Sequence, residues 1–372
     1  MNGKPTLPAL GRRFFRPTWA EVDLSLLRAN LRRFKARLPA GVRLMFVVKG
    51  DAYGHGAVAC AAAAQRARAA DWFGVSSVEE GVVLREAGVR LPILILGSLY
   101  PFESFLAAAE YKLTPTVASL ESAKRLAEVS RRLGREVACH LKIETGMGRI
   151  GVSPAAAVEV LDFFSRQRIV ELSGVYTHLS CAETSRVFTR NQLIRFKRVL
   201  RRCPRGVIRH AANSGAALRT PVSRFDMVRP GLAIYGLYPG FDPILSLKTK
   251  VIFLKNVPLG TSIGYGARYR TRRPSRIATL PIGYADGIFR GLSGKGWALL
   301  GGRKCPIVAV TMDMIMIDAG CAPEARVGDH AVLIGSQGKE RISASDIAKI
   351  LHTIPYEITT AISSRVPRVY RS

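Results

Sequence analysis

The chain has 372 residues, of which 48% are hydrophobic. This length exceeds the usual size of a single domain, and even a β/α barrel takes up only about 250 residues, so two domains are expected. The composition is globular, and the lack of an apolar run of roughly 18 residues excludes a membrane span. The net charge of +29 raises the possibility of an anionic partner, but no nucleic-acid-binding motif accompanies it.

The densest basic stretch is RFKRVLRRCPR at residues 195–205. Phe196, Val199 and Leu200 occupy core-like positions within it, so the spacing predicts an outer helix with solvated charges. We therefore expect no nucleic acid and no membrane among the partners.

The N-terminus carries basic residues but no continuous apolar segment and no small-residue cleavage site. We therefore expect no secretory signal and a cytoplasmic location. The cysteines form no CxxC pair and no regular framework, so reduced thiols are expected, and no cluster with metal-ligand spacing appears, so no metal site is expected. The six cysteines are Cys60, Cys139, Cys181, Cys203, Cys305 and Cys321.

Between residues 43 and 235, short β-branched runs alternate with longer helical patterns rich in alanine and leucine. This alternation is typical of successive βα units. The candidate strands lie at residues 43–48, 71–75, 92–96, 113–117, 137–143, 171–176, 207–210 and 225–235. Eight such units predict an α/β fold with a (β/α)8 barrel of the TIM type.

Two of the intervening helices have clear boundary signals. One begins at Ser77, with Glu80 three residues later as a capping box. Another spans residues 119–133 and ends at Gly134, a typical C-terminal glycine.

After about Leu245 the pattern changes to short strands separated by glycine and proline, with one helical segment at residues 343–351. This pattern predicts a mainly β C-terminal domain. We place the barrel domain at residues 1–245 and the β domain at residues 246–372, and leave open whether residues 1–25 pack on the C-terminal domain.

Catalytic groups in a β/α barrel come from the C-terminal ends of the strands. The first candidate strand ends in VVKGDAYGHG, so Lys49 stands where an apolar strand opens into a loop with three glycines. Partial burial would lower the pKa of Lys49, as a Schiff-base lysine requires. A lysine that only marks the strand end in solvent explains this one position equally well.

Later strand ends are also polar. Alone, His178 is more often a satisfied core histidine and Ser214 only a helix cap, but residues converging on one rim indicate a pocket for an anion and a cofactor. Small residues such as Ser214 and Gly231 let backbone amides approach a phosphate, and the missing GxxxxGK[ST] motif argues against a nucleotide. The later strand ends supply Lys142, Arg149, His178, Asn213, Ser214 and Arg229.

The motifs VVKGDAYGHG, KIETGMGRIG, YTHLS, ANSGAALR, VRPGLAIYGL, GYGARY, LPIGYADG, TMDM and ISSRVPR follow one another along the chain. In order and approximate spacing they resemble the alanine racemase family, from Trp19 onward. The resemblance implies an isomerase that uses pyridoxal 5′-phosphate and works as a homodimer with shared active sites. It would interconvert L-alanine and D-alanine through an external aldimine, supplying D-alanine for peptidoglycan synthesis in the cell wall.

The resemblance also assigns catalytic roles. Lys49 would be the aldimine lysine and the base on one face of the substrate, and Tyr265 of the partner subunit the base on the opposite face. His178 would link Tyr265 to Arg229, which contacts the pyridine nitrogen. Because arginine can only donate hydrogen bonds, Arg229 would keep that nitrogen unprotonated and weaken the electron sink.

By the same resemblance, Arg149 contacts the cofactor's phenolic oxygen and orients the substrate carboxylate, and Lys142 matches a lysine that is often carbamylated. The other implied cofactor contacts are Tyr53, Asn213, Ser214, Gly231, Leu232 through its backbone, and Tyr356. The implied substrate-binding residues are Arg149, Tyr265, Tyr284, Met312 and Asp313.

One segment departs from the family pattern. Most relatives read Gly-Arg-Val and then Cys or Ser before Met-Asp, where this chain has Val308, Ala309, Val310 and Thr311. An arginine that lines the entrance is therefore missing at Ala309. This leaves the substrate range open, and a racemase of serine or another amino acid is the alternative.

A barrel-type pyridoxal phosphate amino-acid decarboxylase is the nearest other enzyme. Those enzymes place an acidic residue against the pyridine nitrogen, so Arg229 favours a racemase. A cofactor carrier built on the same barrel lacks the β domain that provides Tyr265.

Overall fold

The computed structural model describes residues 15–167 and 169–372. Two compact units are present, Asp23–Ile244 and residues 15–22 together with Leu245–Arg371. The first is a parallel barrel with helices and the second is mostly β, which confirms the predicted fold class. Within the described residues, no helix is both long and apolar enough to cross a membrane.

The barrel follows a first strand, β1 (Thr18–Asp23). Its eight strands are β2 (Arg43–Val47), β3 (Trp72–Val75), β4 (Ile93–Ile95), β5 (Thr116–Val117), β6 (Val137–Lys142), β7 (Val170–Tyr176), β8 (Ile208–Asn213) and β9 (Met227–Arg229). Each overlaps a predicted strand. Their order is β4-β3-β2-β9-β8-β7-β6-β5, and a parallel bridge from Leu94 to Thr114 nearly closes the ring.

Helices cover the outside of the barrel, and a short left-handed segment, labelled α2, directly follows β2. The helices of this unit are α1 (Leu24–Lys35), α2 (Lys49–Gly54), α3 (Ala57–Arg66), α4 (Val78–Glu86), α5 (Ser104–Glu110), α6 (Leu120–Leu133), α7 (Ala157–Arg166), α8 (Arg186–Leu200) and α9 (Ser214–Arg219). Ser119 caps α6, and Gly134 ends it with a φ of +62°, which confirms the predicted boundaries. Phe196 and Val199 of α8 are buried while Arg195, Lys197 and Arg198 are exposed, so the predicted amphipathic outer helix is also confirmed.

Of the two hydrogen bonds that make up the capping box predicted at α4, one is present and the other is not, so the prediction is wrong in part. Ser77 caps the helix by accepting from Glu80 N–H at 3.5 Å. The Glu80 carboxylate does not return this bond to Ser77, because it is engaged by Ser76 and Gly50.

The strands of the second unit after β1 are β10 (Leu245–Lys250), β11 (Phe253–Val257), β12 (Ser262–Ile263), β13 (Tyr269–Arg270), β14 (Ser275–Leu280), β15 (Trp297–Leu300), β16 (Arg303–Val310), β17 (Ile315–Asp318), β18 (His330–Gln337), β19 (Glu340–Ile342) and β20 (Arg368–Arg371). The main sheet has the order β11-β14-β17-β16-β15-β18-β10-β1-β20, with β19 paired to β18, and β12 pairs with β13 in a separate two-stranded sheet. β1 pairs antiparallel with β10, with Thr18 opposite Thr249.

Two helices interrupt this sheet, α10 (Ala344–Leu351) and α11 (Pro355–Thr360). The sequence predicted the first, which Ser343 caps, and missed the second. A six-residue helix is too short to show a clear 3.6-residue period.

The expectation of six reduced cysteines is wrong for one pair. A disulfide joins Cys305 to Cys321, whose Cα atoms are 6.2 Å apart. The chain turns back from β16 into β17 and brings the two residues together. No short sequence motif predicts this contact. The other four cysteines are free.

Candidate active site

Lys49 follows the buried strand β2 and begins α2. Its side chain is half-buried. Burial lowers the pKa of Lys49 below its ordinary value; the positive charges of Arg149 and Arg229 add to this effect, and Glu80 opposes it. The sequence favoured a partly buried Lys49 and a solvated Lys49 equally. The structure shows the partly buried one.

The backbone after Lys49 makes a left-handed turn. Residues 50–53 have φ values between 50° and 60°, and for a non-glycine residue this conformation costs roughly 1–2 kcal/mol. Asp51 supports the turn by accepting from Ala57 N–H at 2.7 Å. His55 supports it through Nδ1, which lies 2.9 Å from the carbonyl oxygens of both Ala52 and Tyr53.

The turn brings Tyr53 to the residues that follow β8 and β9. A Cβ added at Gly231 would lie 3.0 Å from the Tyr53 hydroxyl, so only glycine leaves this space open. Ser214 is buried, and its Oγ accepts from Gly231 N–H at 3.1 Å and from Ala233 N–H at 3.3 Å. Tyr53, Ser214 and Gly231 therefore form a small cradle of hydroxyl and amide groups.

Asn213 shapes the chain beside this cradle. Its Oδ1 accepts from Ala216 N–H at 3.0 Å and so caps α9, and its Nδ2 donates to Leu179 O at 3.2 Å. Leu232 is half-buried, and its carbonyl accepts from Leu237 N–H at 2.9 Å.

Arg229 ends β9 and is only 4% exposed. Its guanidinium donates to His210 Nδ1 at 2.9 Å, to Thr177 O at 2.7 Å and to Ala211 O at 3.1 Å. Its Nη2 also lies 3.5 Å from His178 Nδ1. All of these acceptors are neutral groups, and none is a carboxylate.

These contacts fix the proton positions on the histidines. Arginine can only donate, so Nδ1 of His210 accepts and its proton sits on Nε2. That Nε2 lies 2.9 Å from His140 Nδ1, which continues the chain of hydrogen bonds. His178 likewise accepts at Nδ1, which leaves its Nε2–H as a donor.

Burial and the nearby charge of Arg229 keep these imidazoles neutral. They lower the pKa of His178 to about 3 and that of His140 to about 3, and they hold the pKa of His210 well below its ordinary value. Burial also lowers the pKa of Arg229 to about 10, so Arg229 is still charged at neutral pH.

Lys142 ends β6 and is only 3% exposed. Its Nζ lies 5.4 Å from the centre of the Tyr176 ring. Burial, followed by the charges of Arg149 and Arg229, lowers the pKa of Lys142 to about 7. About half of the Lys142 amines are therefore neutral at pH 7.

Arg149 lies in the loop after β6, with an exposed side chain. The Glu144 carboxylate holds this loop by accepting from the backbone N–H groups of Gly146, of Met147 at 2.6 Å, of Gly148 at 3.0 Å and of Arg149 itself at 3.4 Å. Burial raises the pKa of Glu144, but the hydrogen bonds from these four amides have the larger combined effect, so its pKa is lowered.

The barrel rim thus carries four basic side chains, Lys49, Lys142, Arg149 and Arg229, that influence one another electrostatically. Clustered positive charge in a partly desolvated cleft attracts anionic ligands. Together with the cradle at Gly231, it fits a ligand with a phosphate and a carboxylate.

Tyr265 lies in the other unit, in a short 3-10 turn between β12 and β13, and is 74% exposed. Gly264 precedes it with φ +78° and ψ −176°, a conformation available essentially only to glycine. A Cβ added at Gly264 would lie 2.7 Å from the Ala309 Cβ. Ala309 is buried in a cluster with Val257 and other apolar residues.

Tyr284, Met312 and Asp313 lie together in this unit. Tyr284 N–H donates to Thr311 O at 3.0 Å, so the turn that carries Tyr284 packs on the loop that carries Met312. Asp313 forms an ion pair with Arg365 at 2.7 Å. Tyr284 and Met312 are both exposed.

Tyr356 lies in α11 and is half-buried. Its expected contact with the cofactor phosphate stays a prediction. The functional roles of the other assigned residues likewise stay predictions.

Sequence reasoning missed several supporting residues. Glu80 was noted only as a helix cap, and Glu144, His140 and His210 were not singled out. Their partners are distant in sequence or are backbone amides, so spacing gives no signal for them. A histidine buried inside a polar strand end, as in RHAAN, was the best available hint for His210.

Comparison with known proteins gives consistent results along the chain. Residues 22–239 match the family described as alanine racemase, N-terminal domain, and residues 244–370 match alanine racemase, C-terminal domain. An alanine racemase of Symbiobacterium thermophilum is 46% identical over 95% of this chain and 97% of its own. One of Halothermothrix orenii is 44% identical over 98% and 99%.

Solved structures agree with this. The alanine racemase of Clostridium difficile 630 is 37% identical, with a TM-score of 0.90 over 96% of this chain and 97% of its own. The alanine racemase of Bacillus anthracis, solved with bound L-Ala-P, is 38% identical, with a TM-score of 0.91 over 97% and 96%.

Proposed function

Because the chain belongs to the alanine racemase family and is therefore an isomerase, we propose that it interconverts L-alanine and D-alanine with pyridoxal 5′-phosphate held on Lys49. The observation that carries this proposal is Lys49 at a barrel strand end, with a pKa lowered by burial and by Arg149 and Arg229. A neutral amine can attack an aldehyde and can later accept a proton, and a lowered pKa favours that neutral form.

The residues present fit this cofactor. The space kept open at Gly231, beside the Tyr53 hydroxyl and Ser214 Oγ, suits a phosphate, with Asn213, Leu232 and Tyr356 completing the contacts. When bound, the cofactor supplies the electron sink that makes the α-proton of an amino acid acidic.

Arg229 sets how strong that sink is. It can only donate hydrogen bonds, and with a pKa of about 10 it keeps its own proton at neutral pH, so a ring nitrogen placed beside it would accept a hydrogen bond and stay unprotonated. A decarboxylase of this barrel type would need an acidic residue there. The Arg229 contacts therefore favour racemisation.

Two residues move the proton. Lys49 accepts or delivers it on one face of the substrate, and the partner subunit's Tyr265 does so on the other. The His178 Nε2–H donates towards the tyrosine oxygen and stabilises it when it is deprotonated. Arg149 orients the substrate carboxylate.

This division of labour requires a homodimer. The exposed position of Tyr265 supports a hydroxyl that is offered to a second copy of the chain. Tyr284, Met312 and Asp313, which lie together in the same unit as Tyr265, would line the substrate entrance. With Ala309 in place of an arginine, serine or another amino acid is the second candidate substrate.

The product would be D-alanine for peptidoglycan synthesis in the cytoplasm. Neither nucleic acid nor membrane is required for this reaction. Lys142, half neutral near pH 7, has the reactivity that carbamylation needs.

Borohydride reduction followed by peptide mapping tests the proposal. We expect the reduced cofactor on Lys49, and recovery of the label on another lysine would end the proposal. A racemisation screen over the common amino acids, read by deuterium exchange at the α-carbon, then identifies the substrate, with alanine expected to react fastest.

A further inference from the structure

Glu80 connects the residue after Lys49 to a neighbouring strand. Its Oε1 accepts from Gly50 N–H at 2.7 Å. Its Oε2 accepts from Ser76 N–H at 2.6 Å and from Ser76 Oγ–H at 2.8 Å. A single carboxylate therefore joins the first amide of the left-handed turn to the end of β3.

The far end of this connection is fixed. Ser76 directly follows β3, which pairs with both β2 and β4 in the barrel. A Cβ added at Gly97, just after β4, would collide with Ser76 O, so the strand ends are packed as closely as their backbones allow. Glu80 thus holds Gly50 against a rigid part of the barrel.

The turn that begins at Gly50 requires this support. Residues 50–53 are left-handed, a strained conformation that persists only where the surroundings impose it. Asp51 and His55 support the later part of the turn, and Glu80 supports its beginning. Hydrogen bonds to an ionised acceptor are about twice as strong as neutral ones.

We propose that Glu80 is a positioning residue for Lys49 and Tyr53, fixing through Gly50 N–H where the chain leaves β2 and enters the turn that carries both side chains to the cofactor. This inference rests on the proposed function, because it assumes that Lys49 holds the cofactor.

Glu80 has a second effect that geometry alone would not produce. Burial, Arg149 and Arg229 lower the pKa of Lys49, whereas the negative charge of Glu80 raises it. Loss of that charge should therefore lower the pKa of Lys49 further and make its neutral form available at lower pH. The charge and the length of the side chain at position 80 can be varied separately by substitution.

The test compares three variants of the holoenzyme. Glu80→Gln removes the charge and leaves one oxygen acceptor; Glu80→Asp keeps the charge but is too short to reach both Gly50 and Ser76. Glu86→Gln is the matched control, since Glu86 is exposed on the same helix. Far-UV circular dichroism verifies that each variant is folded.

Two measurements follow, the rate at which cofactor leaves during dialysis and the pH profile of kcat, which reports groups of the enzyme–substrate complex, where the Lys49 amine is free. We expect cofactor release about tenfold faster in both Glu80 variants, as for the loss of a charge-assisted hydrogen bond. We expect the acidic limb of the profile to move to lower pH in Glu80→Gln only. Glu86→Gln should match the unmodified enzyme in both.

The inference is overturned if Glu80→Gln and Glu80→Asp release cofactor as slowly as Glu86→Gln. Its electrostatic part is overturned if the acidic limb of Glu80→Gln does not move. Borohydride mapping of the unmodified enzyme separates this from a failure of the proposed function. A label on Lys49 with unaffected Glu80 variants rejects only the role of Glu80, whereas a label elsewhere rejects both.

Discussion

At residue scale the proposed chemistry depends on making two weak bases usable near neutral pH. Amines and phenols ordinarily have pKa values near 10. For Lys49 the structure supplies burial and two neighbouring arginines, which lower its pKa. For the proposed tyrosine base, His178 would play this part, because its contact with Arg229 through Nδ1 leaves its Nε2–H to donate to a phenolate.

Replacing Tyr265 with Phe tests the second base. We expect racemisation to fall by about 100-fold or more, the usual contribution of a general base, while the cofactor stays on Lys49. Exchange of the α-proton should become strongly biased to one enantiomer, because only the lysine face still reacts. Deuterium incorporation followed by chiral chromatography measures this.

Tyr111→Phe is the control, since Tyr111 is an exposed tyrosine of the barrel unit. It should leave both rates unchanged. Equal slowing of exchange for both enantiomers of alanine in Tyr265→Phe would count against opposed bases.

Lys142 is the second residue whose titration has a measurable consequence. Its pKa is about 7 in the folded protein because of burial and the charges of Arg149 and Arg229, against an ordinary value near 10.4 in the unfolded chain. Between these values the unfolded chain binds more protons. Lys142 therefore destabilises the folded state most fully below pH 7, and this penalty is relieved as the pH rises through the window.

We expect Lys142→Gln to remove this dependence. The free energy of unfolding of the unmodified protein should rise between pH 7 and pH 10 by up to about 1.4 kcal/mol per unit relative to the variant. Urea unfolding in bicarbonate-free buffer measures it. Lys124→Gln, at an exposed position of α6, should keep the slope of the unmodified protein, and an unchanged slope in Lys142→Gln would refute the low pKa.

At the scale of elements, the turn that carries Tyr265 depends on two small residues. Gly264 has a φ of +78°, and its Cα faces the methyl group of Ala309 on β16. In this chain the buried alanine lets the turn approach the strand closely.

Gly264→Ala should therefore displace Tyr265. The new methyl group would lie 2.7 Å from Ala309 Cβ, and strain of roughly 1–3 kcal/mol in the turn should lower kcat by about tenfold or more. Gly260→Ala is a matched control, because Gly260 also has a positive φ of +82° but has open space around its Cβ. Equal kcat values in the two variants would show that contact with Ala309 does not position Tyr265.

The elements also show how far the sequence could be interpreted. Each barrel strand was predicted because apolar β-branched runs and glycine breaks are local signals, and Lys49, His178 and Arg229 lie at the strand ends where they were expected. The capping box at Ser77 was wrong because Glu80 has a stronger partner in Gly50, which belongs to another βα unit. A contact between distant segments leaves no local pattern.

The same limit applies to the whole molecule. β1 pairs with β10, and Cys305 pairs with Cys321. No local sequence pattern in these segments predicts either pairing. The family could be inferred because nine motifs recur in order, and the matches to residues 22–239 and 244–370 confirm it. Assembly into a shared-site homodimer stays a prediction that the single chain does not test.

Mixing two inactive variants tests that assembly. In a dimer with shared sites, a Lys49→Ala subunit still provides Tyr265, and a Tyr265→Ala subunit still provides Lys49. A mixed dimer would then contain one site with both bases intact and one site with neither. If each chain used its own lysine and tyrosine, every site in the mixture would lack one base.

We therefore expect each variant alone to be nearly inactive, and an equimolar mixture, after subunit exchange, to recover about one quarter of the normal activity, because half of the dimers are mixed and each has one intact site of two. Co-expression with two different affinity tags, followed by sequential purification, isolates the mixed dimer, whose activity should be about half of normal. A double variant mixed with unmodified protein serves as the control, since exchange there creates no new complete site. Recovery no greater than the sum of the two separate variants would contradict a site shared between subunits.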